Sequence, residues 1–297
     1  MKILLTGSTG QLGKAITNQK PNNYHLLVPK RDELDLSNRL SCQRFLESNK
    51  PDFIINSGAY TNVDLAEKQI DLCSSINTEA PFVFANMLKK NGGNLLQIST
   101  DYVFDGCKNS PYKVNDIKNP ISKYGYSKAR SEELIEEILT PTQQVVILRT
   151  SWLLGSKGKN FLLKMLDLHQ NKKEFSVVSD QIGSMSSTED VAKICWKIIS
   201  NWELFSNKRN YINHWTCQGV VSWYDIAIEI GDIATKCGIL KSPAKIHSIN
   251  SENYPTLAKR PKYSILDCST TREIIGIEGK YWRQELEKII RNMANKQ

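Results

Sequence analysis

The sequence predicts an α/β protein built on a doubly wound parallel sheet, with a smaller α/β portion behind it. Three observations predict this. Short apolar runs alternate with helical patterns over the first half of the chain, and the first of these runs ends directly in a glycine-rich turn. Beyond about residue 155 the alternation gives way to longer helices and fewer strands. A chain of 297 residues can build one or two domains with sizeable cores. We expect a unit over 1–155 for dinucleotide binding. The remainder, 156–297, is expected to be mainly substrate-binding and interleaved with the first unit.

Taken in order, Lys2–Thr6 reads as a buried strand, Gly7–Gly13 as the turn and Leu12–Gln19 as the first helix. His25–Val28 is the second strand, and Asp52–Asn56, led by Pro51, is the third. Apolar residues at 82, 83, 84, 85 and 88 give Pro81–Lys90 a helical pattern. After the Asn91-Gly92-Gly93 turn comes a fourth strand, Asn94–Ser99, then a helix over Tyr124–Ile138 and a fifth strand over Gln144–Arg149. Strands separated by helices of this length imply right-handed crossovers and parallel pairing. In the second half, Phe161–His169, Asp190–Trp202 and Tyr281–Met293 read as helices, and Ser222 is the N-cap expected for Ser222–Lys236. The strands there are Phe175–Val178, Tyr211–Asn213 and Lys245–Ser248, all assigned to the smaller portion.

The composition is that of an ordinary globular protein, 40% hydrophobic and 24% charged. No apolar run approaches the ~20 residues of a membrane span, and no signal peptide is expected. The net charge of +8 comes from 39 Lys and Arg against 31 Asp and Glu, scattered without long runs. We read it as solvated surface charge, with no nucleic-acid or membrane partner. Seven cysteines at wide spacings, without a C-x-x-C pair, fit reduced thiols in a cytoplasmic protein. The four histidines are dispersed, and no metal is expected.

The turn reads Gly7-Ser8-Thr9-Gly10-Gln11-Leu12-Gly13. Small residues there let the backbone approach a pyrophosphate, and a helix N-terminus offers free N–H groups with partial positive charge. The position on the first strand of an alternating chain makes this a dinucleotide site. A strand ending in an acidic residue would suit the ribose 2′-hydroxyl of NAD; here the second strand runs into Lys30 and Arg31, cations that pair with a 2′-phosphate. NADPH is therefore the expected cofactor, with NADH the alternative. Asp35 and Leu36 lie just downstream, within reach of the adenine side.

Tyr124-Gly125-Tyr126-Ser127-Lys128 places a phenol and an ammonium four residues apart near a helix start, on one face. A tyrosine titrates near ~10, and an adjacent cation is expected to lower that value for acid–base work. Thr100, at the end of the fourth strand, supplies the hydroxyl donor that completes the set.

With these residues in view, the chain resembles the dTDP-4-dehydrorhamnose reductase family of the extended short-chain dehydrogenases/reductases, whose fold is Rossmann-like. Ordered segments carry the resemblance: Gly7–Gly13, Asn56–Glu67, Ser99-Thr100-Asp101-Tyr102-Val103-Phe104-Asp105-Gly106, Leu148–Trp152, Ser179–Gly183, Ser222-Trp223-Tyr224 and Lys259-Arg260-Pro261. The resemblance implies hydride delivery from NADPH to C4 of a 4-keto-6-deoxy sugar nucleotide, with dTDP-4-dehydrorhamnose as the substrate. It gives Tyr124 the proton, Lys128 the nicotinamide ribose, and Thr100 the sugar oxygen with Asp101 beside it. Trp152 packs on the sugar, and Gly10, Gln11 and Leu12 meet the cofactor phosphates. Ala59, Tyr60 and Thr61 line the nicotinamide side, Asp35 and Leu36 the adenosine side, and Lys259 and Arg260 hold the nucleotide diphosphate.

Two segments depart from the family pattern, Ser184-Met185-Ser186 and Ile212-Asn213-His214-Trp215, both in the part that recognises sugar and nucleotide. Two alternatives share the fold. One is a reductase of a related nucleotide sugar, such as a UDP-linked 4-keto-6-deoxy-hexosamine. The other is a non-catalytic NADP-binding regulatory subunit of the methionine adenosyltransferase type. A homodimer is left open as the assembly.

Overall fold

The computed structural model describes residues 1–207 and 210–295. Five strands lead the chain: β1 (Lys2–Thr6), β2 (His25–Leu27), β3 (Phe53–Asn56), β4 (Asn94–Thr100) and β5 (Val145–Thr150). Then come β6 (Leu153–Leu154), β7 (Glu174–Val178), β8 (Ile182–Gly183), β9 (Ser186–Ser187), β10 (Ile212–His214), β11 (Val221–Ser222) and β12 (Lys245–Ile249). The main sheet has six strands in the order β10-β5-β4-β3-β1-β2, every pair parallel. The order reverses between β1 and β3, and in such sheets ligands bind beyond the carboxyl ends of the strands at this switch.

Period-two alternation builds the layers. Leu4, Ile54, Leu95, Val145 and Ile147 face one side, against Phe84 and Leu88 of helix Ala80–Asn91 and Ile135 of helix Lys123–Leu139. Ile3, Leu5, Ile55, Leu96, Val146 and Leu148 face the other, against Ile16 of helix Gln11–Asn18 and Val191, Ile194 and Ile198 of helix Thr188–Ser200. A second core joins helices Phe161–Asn171, Trp223–Lys236 and Trp282–Ala294 through Leu162, Ile226, Ile230 and Leu286, with β7 and β12 paired beside them.

One strand lies elsewhere than expected. The run at Tyr211–Asn213, assigned from sequence to the smaller portion, forms β10 and is the outer strand of the main sheet, in register with Ile147–Arg149. Among the described residues no helix is long and apolar enough to cross a membrane.

Candidate active site

The first turn is built by contact. Gly7 has φ +68, and a Cβ there would stand 2.6 Å from Gly58 Cα, so the loops after β1 and β3 touch at the switch point. A Cβ on Gly13 would stand 2.1 Å from the Gly7 carbonyl oxygen, so the helix packs directly on its own turn. No side chain caps the helix that follows Gly10, and its first amides remain free for an anion. These are the features a dinucleotide pyrophosphate needs.

A cleft of about 680 Å³ opens over this turn, lined by Gly7, Gly10, Gln11, Leu12 and Gly13 on one side. Ala59, Thr61, Thr100, Asp101, Tyr124 and Trp152 line the rest of its expected surface. It continues through Gly7, Thr9, Gly58 and Ala59 into a hollow of about 270 Å³ bordered by Lys30, Arg31, Asp35 and Leu36. Asp35 accepts hydrogen bonds from the Ser37 amide (2.9 Å) and hydroxyl (2.7 Å). These bonds hold its carboxyl below the usual range, with Arg31 adding to the effect.

The wall that carries Tyr124 is helix Lys123–Leu139, capped by Ser122, whose hydroxyl accepts the Gly125 amide at 3.1 Å. A Cβ on Gly125 would lie 2.2 Å from the Tyr102 carbonyl oxygen, so this helix lies flat on the turn after β4 and brings Tyr124 to Thr100. Lys128, one turn on, donates to the Ile98 carbonyl at 2.7 Å. The Thr100 hydroxyl accepts the Tyr102 amide (3.2 Å) and donates to Asp101 Oδ1 (3.0 Å).

The expected depression of the tyrosine by its lysine is not what these side chains show. Burial dominates: it pushes the Tyr124 phenol up, with only the Thr100 hydroxyl acting against it. Burial also lowers Lys128 to about 8, opposed by the Glu132 carboxylate. The sequence displays the i, i+4 pair but not the low-dielectric surroundings that override it. Asp101 is 1% exposed, and burial raises its carboxyl to about 6.

On the far side of the cleft, Trp152 and Trp223 stack at 3.8 Å with their planes 10° apart. Trp152 has φ +44, a strained value for a bulky residue that its surroundings must impose. Trp223 opens helix Trp223–Lys236, whose capping box joins Ser222 and Asp225.

A family model described as "RmlD substrate binding domain" matches residues 1–295. The dTDP-4-dehydrorhamnose reductase of Aggregatibacter actinomycetemcomitans is 37% identical over 290 residues, covering 97% of this chain and 98% of the relative. The chain belongs to the dTDP-4-dehydrorhamnose reductase family. It is thereby an oxidoreductase of Rossmann-like fold. The solved dTDP-4-dehydrorhamnose reductase of Clostridium acetobutylicum is 36% identical, with a TM-score of 0.89 and 99% of each chain covered. That of Bacillus anthracis, solved in complex with NADP, is 31% identical, with a TM-score of 0.88, covering 98% of this chain and 99% of that one.

Within this dTDP-4-dehydrorhamnose reductase fold, four expected residues stand outside the cleft lining: Lys128, which is buried beneath it, Tyr60, Lys259 and Arg260. Tyr60 turns its hydroxyl to Gln69 (2.8 Å), while its backbone is held at both N and O by Asn77. Arg260 forms a paired contact with Asp64, at 2.6 and 3.2 Å, and Lys259 beside it is exposed. Both lie outside the cleft lining. Conversely, Trp223, Lys159 and Asn160 line the cleft unforeseen. Asn160 donates to Gln11 Oε1 at 3.2 Å, and Gln11 donates to the Leu153 carbonyl at 3.1 Å, which ties the glycine turn to the second lobe. The signal available for this loop was its Gly-x-x-Gly-x-Asn spelling before a helix; for Trp223 it was the helix position next to the Ser222 cap.

Proposed function

We propose that this chain reduces the C4 ketone of dTDP-4-dehydrorhamnose, giving dTDP-L-rhamnose, with NADPH as the reductant. The observation that carries this reading is the meeting of Tyr124, Thr100 and Trp152 with the glycine turn in one cleft at the strand ends. When bound, NADPH supplies the hydride for C4. Tyr124, kept protonated by burial, delivers its proton to the sugar oxygen as negative charge develops there. Thr100 fixes the position of that oxygen, and Lys128 presents its ammonium to the nicotinamide ribose. The stacked indoles of Trp152 and Trp223 offer an apolar wall to the deoxygenated C6 end of the sugar.

Lys30 and Arg31 at the adenosine hollow support the choice of NADPH over NADH. We assign Lys259 and Arg260 to the nucleotide diphosphate, a role in which Arg260 leaves Asp64 or shares it. The division of labour between 1–155 and 156–297 is part of the same reading. So is a cytoplasmic location, supported by cysteines that all stand as free thiols. A homodimer is the proposed assembly, with the exposed Leu65, Ile70 and Leu72 available for such a contact; sedimentation velocity tests it.

The deciding assay is loss of nicotinamide absorbance on adding dTDP-4-dehydrorhamnose to the protein and NADPH. Turnover only with a UDP-linked 4-keto-6-deoxy-hexosamine would move the substrate. Tight NADPH binding without turnover on any nucleotide sugar would favour the regulatory reading. A lower Michaelis constant for NADH than for NADPH would overturn the cofactor choice.

A further inference from the structure

Trp152 stands in the cleft with φ +44, a value that a bulky residue adopts only under constraint. The constraint is a slot. A Cβ on Gly183 would stand 2.6 Å from both Cε2 and Cζ2 of Trp152 and 3.0 Å from its Nε1. An atom in the ring plane at the first two distances would lie far closer to Nε1, so Gly183 sits over a face of the indole. Trp223 stacks on the same indole with centroids 3.8 Å apart and planes 10° apart. A ring at that spacing leaves no room beneath it for Gly183, so the two hold opposite faces. What Trp152 has left to show the cleft is its edge.

The two jaws share one frame. Gly183 pairs with Val221, two residues before Trp223, and the Ser184 hydroxyl donates to the Gly219 carbonyl at 2.7 Å. On the side of Trp152, the Ser151 hydroxyl donates to the Ser184 carbonyl at 2.5 Å and the Thr150 hydroxyl to Ser186 Oγ at 2.8 Å. The Ser186 amide donates to the Trp152 carbonyl at 3.2 Å. All four of these hydroxyl-bearing side chains are buried. The bonds fix the spacing of the backbones at 152, 183 and 223, so backbone drift cannot make room for a side chain at 183. Gly183 is not among the glycines with positive φ, so its missing Cβ serves this contact and not a turn. Ser184 and Ser186 belong to the segment that departs from the family pattern.

We propose that Gly183 is a positioning residue for sugar recognition: it lets Trp152 be clamped against Trp223, so that the rim of the indole pair, not a free face, is what the nucleotide sugar meets. The proposal rests on the reductase reading above.

The test uses wild type, Gly183→Ala, Trp152→Ala and the double variant. It measures kcat and KM for dTDP-4-dehydrorhamnose, the Kd for NADPH and the circular-dichroism bands of the coupled indoles. Gly183→Ala should raise the KM for the sugar nucleotide on the order of tenfold, with kcat within about threefold of wild type. Its indole bands should weaken and its NADPH affinity should not change. In the Trp152→Ala background the same methyl should alter that KM by less than about twofold, because the ring it displaces is gone.

A Gly183→Ala enzyme with the wild-type KM for sugar would overturn the proposal. So would equal losses for sugar and NADPH, or losses that add in the double variant. Should Gly183→Ala fail to fold, the double variant decides: a recovered fold supports the clamp, and continued failure refutes it. A wild type that binds NADPH and turns over no nucleotide sugar defeats the reductase reading instead. The indole bands of Gly183→Ala, weakened or intact, then still judge the clamp.

Discussion

Lys128 Nζ and the Ile98 carbonyl oxygen lie 2.7 Å apart, and this bond anchors the ammonium at the end of the strand that carries Thr100. Burial lowers the lysine to about 8. Its charge is complete well below that value and disappears as pH rises through it. Capture of NADPH by the free enzyme, followed as kcat/KM for the cofactor, should therefore fall about tenfold per pH unit above about 8. Lys128→Met should be weak at every pH and lack this limb. A wild-type profile flat across the region would remove the ammonium from cofactor capture.

Tyr124→Phe removes the hydroxyl and little volume. Cofactor affinity, read by quenching of protein fluorescence, should stay within about threefold, while kcat falls on the order of 10²- to 10⁴-fold. Near-normal turnover would show that another group gives the proton.

Trp223→Ala leaves Trp152 without its stacking partner 3.8 Å away. An aromatic pair contributes about 0.5–1.5 kcal/mol beyond its buried area. The Michaelis constant for the sugar nucleotide should rise up to about tenfold, with that for NADPH unchanged. Equal effects on both would mean that the indole supports the whole lobe.

On the helix that carries Tyr124, Glu132 forms two hydrogen bonds with Arg149, at 2.7 and 3.0 Å, both side chains almost wholly enclosed, with His214 at 3.2 Å from the guanidinium. Glu132→Leu strands the Arg149 charge and should cost about 3–5 kcal/mol in urea unfolding. Adding Arg149→Met should recover most of that loss. A double variant no more stable than the single one would show that Lys118, 3.6 Å from Glu132, or His214 needs the pair.

Much of the fold was legible because its signals are local. β1 is Lys2–Thr6 as read, and helix Lys123–Leu139 begins one residue before the expected Tyr124. Helix Arg39–Asn49 escaped notice because it buries only Cys42 and Leu46, too thin a stripe to show a period. The run at β10 was seen, but no local feature says which sheet receives a three-residue strand. At the site, Tyr124, Lys128 and Thr100 were singled out from type and spacing; Tyr124 and Thr100 line one cleft, and Lys128 is bound to the Ile98 carbonyl on the strand that carries Thr100. Trp223 was not singled out, since its partnership with Trp152 spans 71 positions and exists only after the lobes close. The protonation behaviour of Tyr124 follows from enclosure, which no spacing encodes.

One edge strand of the main sheet, β10, and the helix Thr188–Ser200 that covers one of its faces both come from residues beyond 156. A gene fragment ending there would expose the flank of β5 and leave Val146 and Leu148 bare. The lobes are thus inseparable in the way a woven cloth is. Recombining either with a counterpart from another reductase calls for further crossovers, one before helix Thr188–Ser200 and one after β10, not one cut between halves.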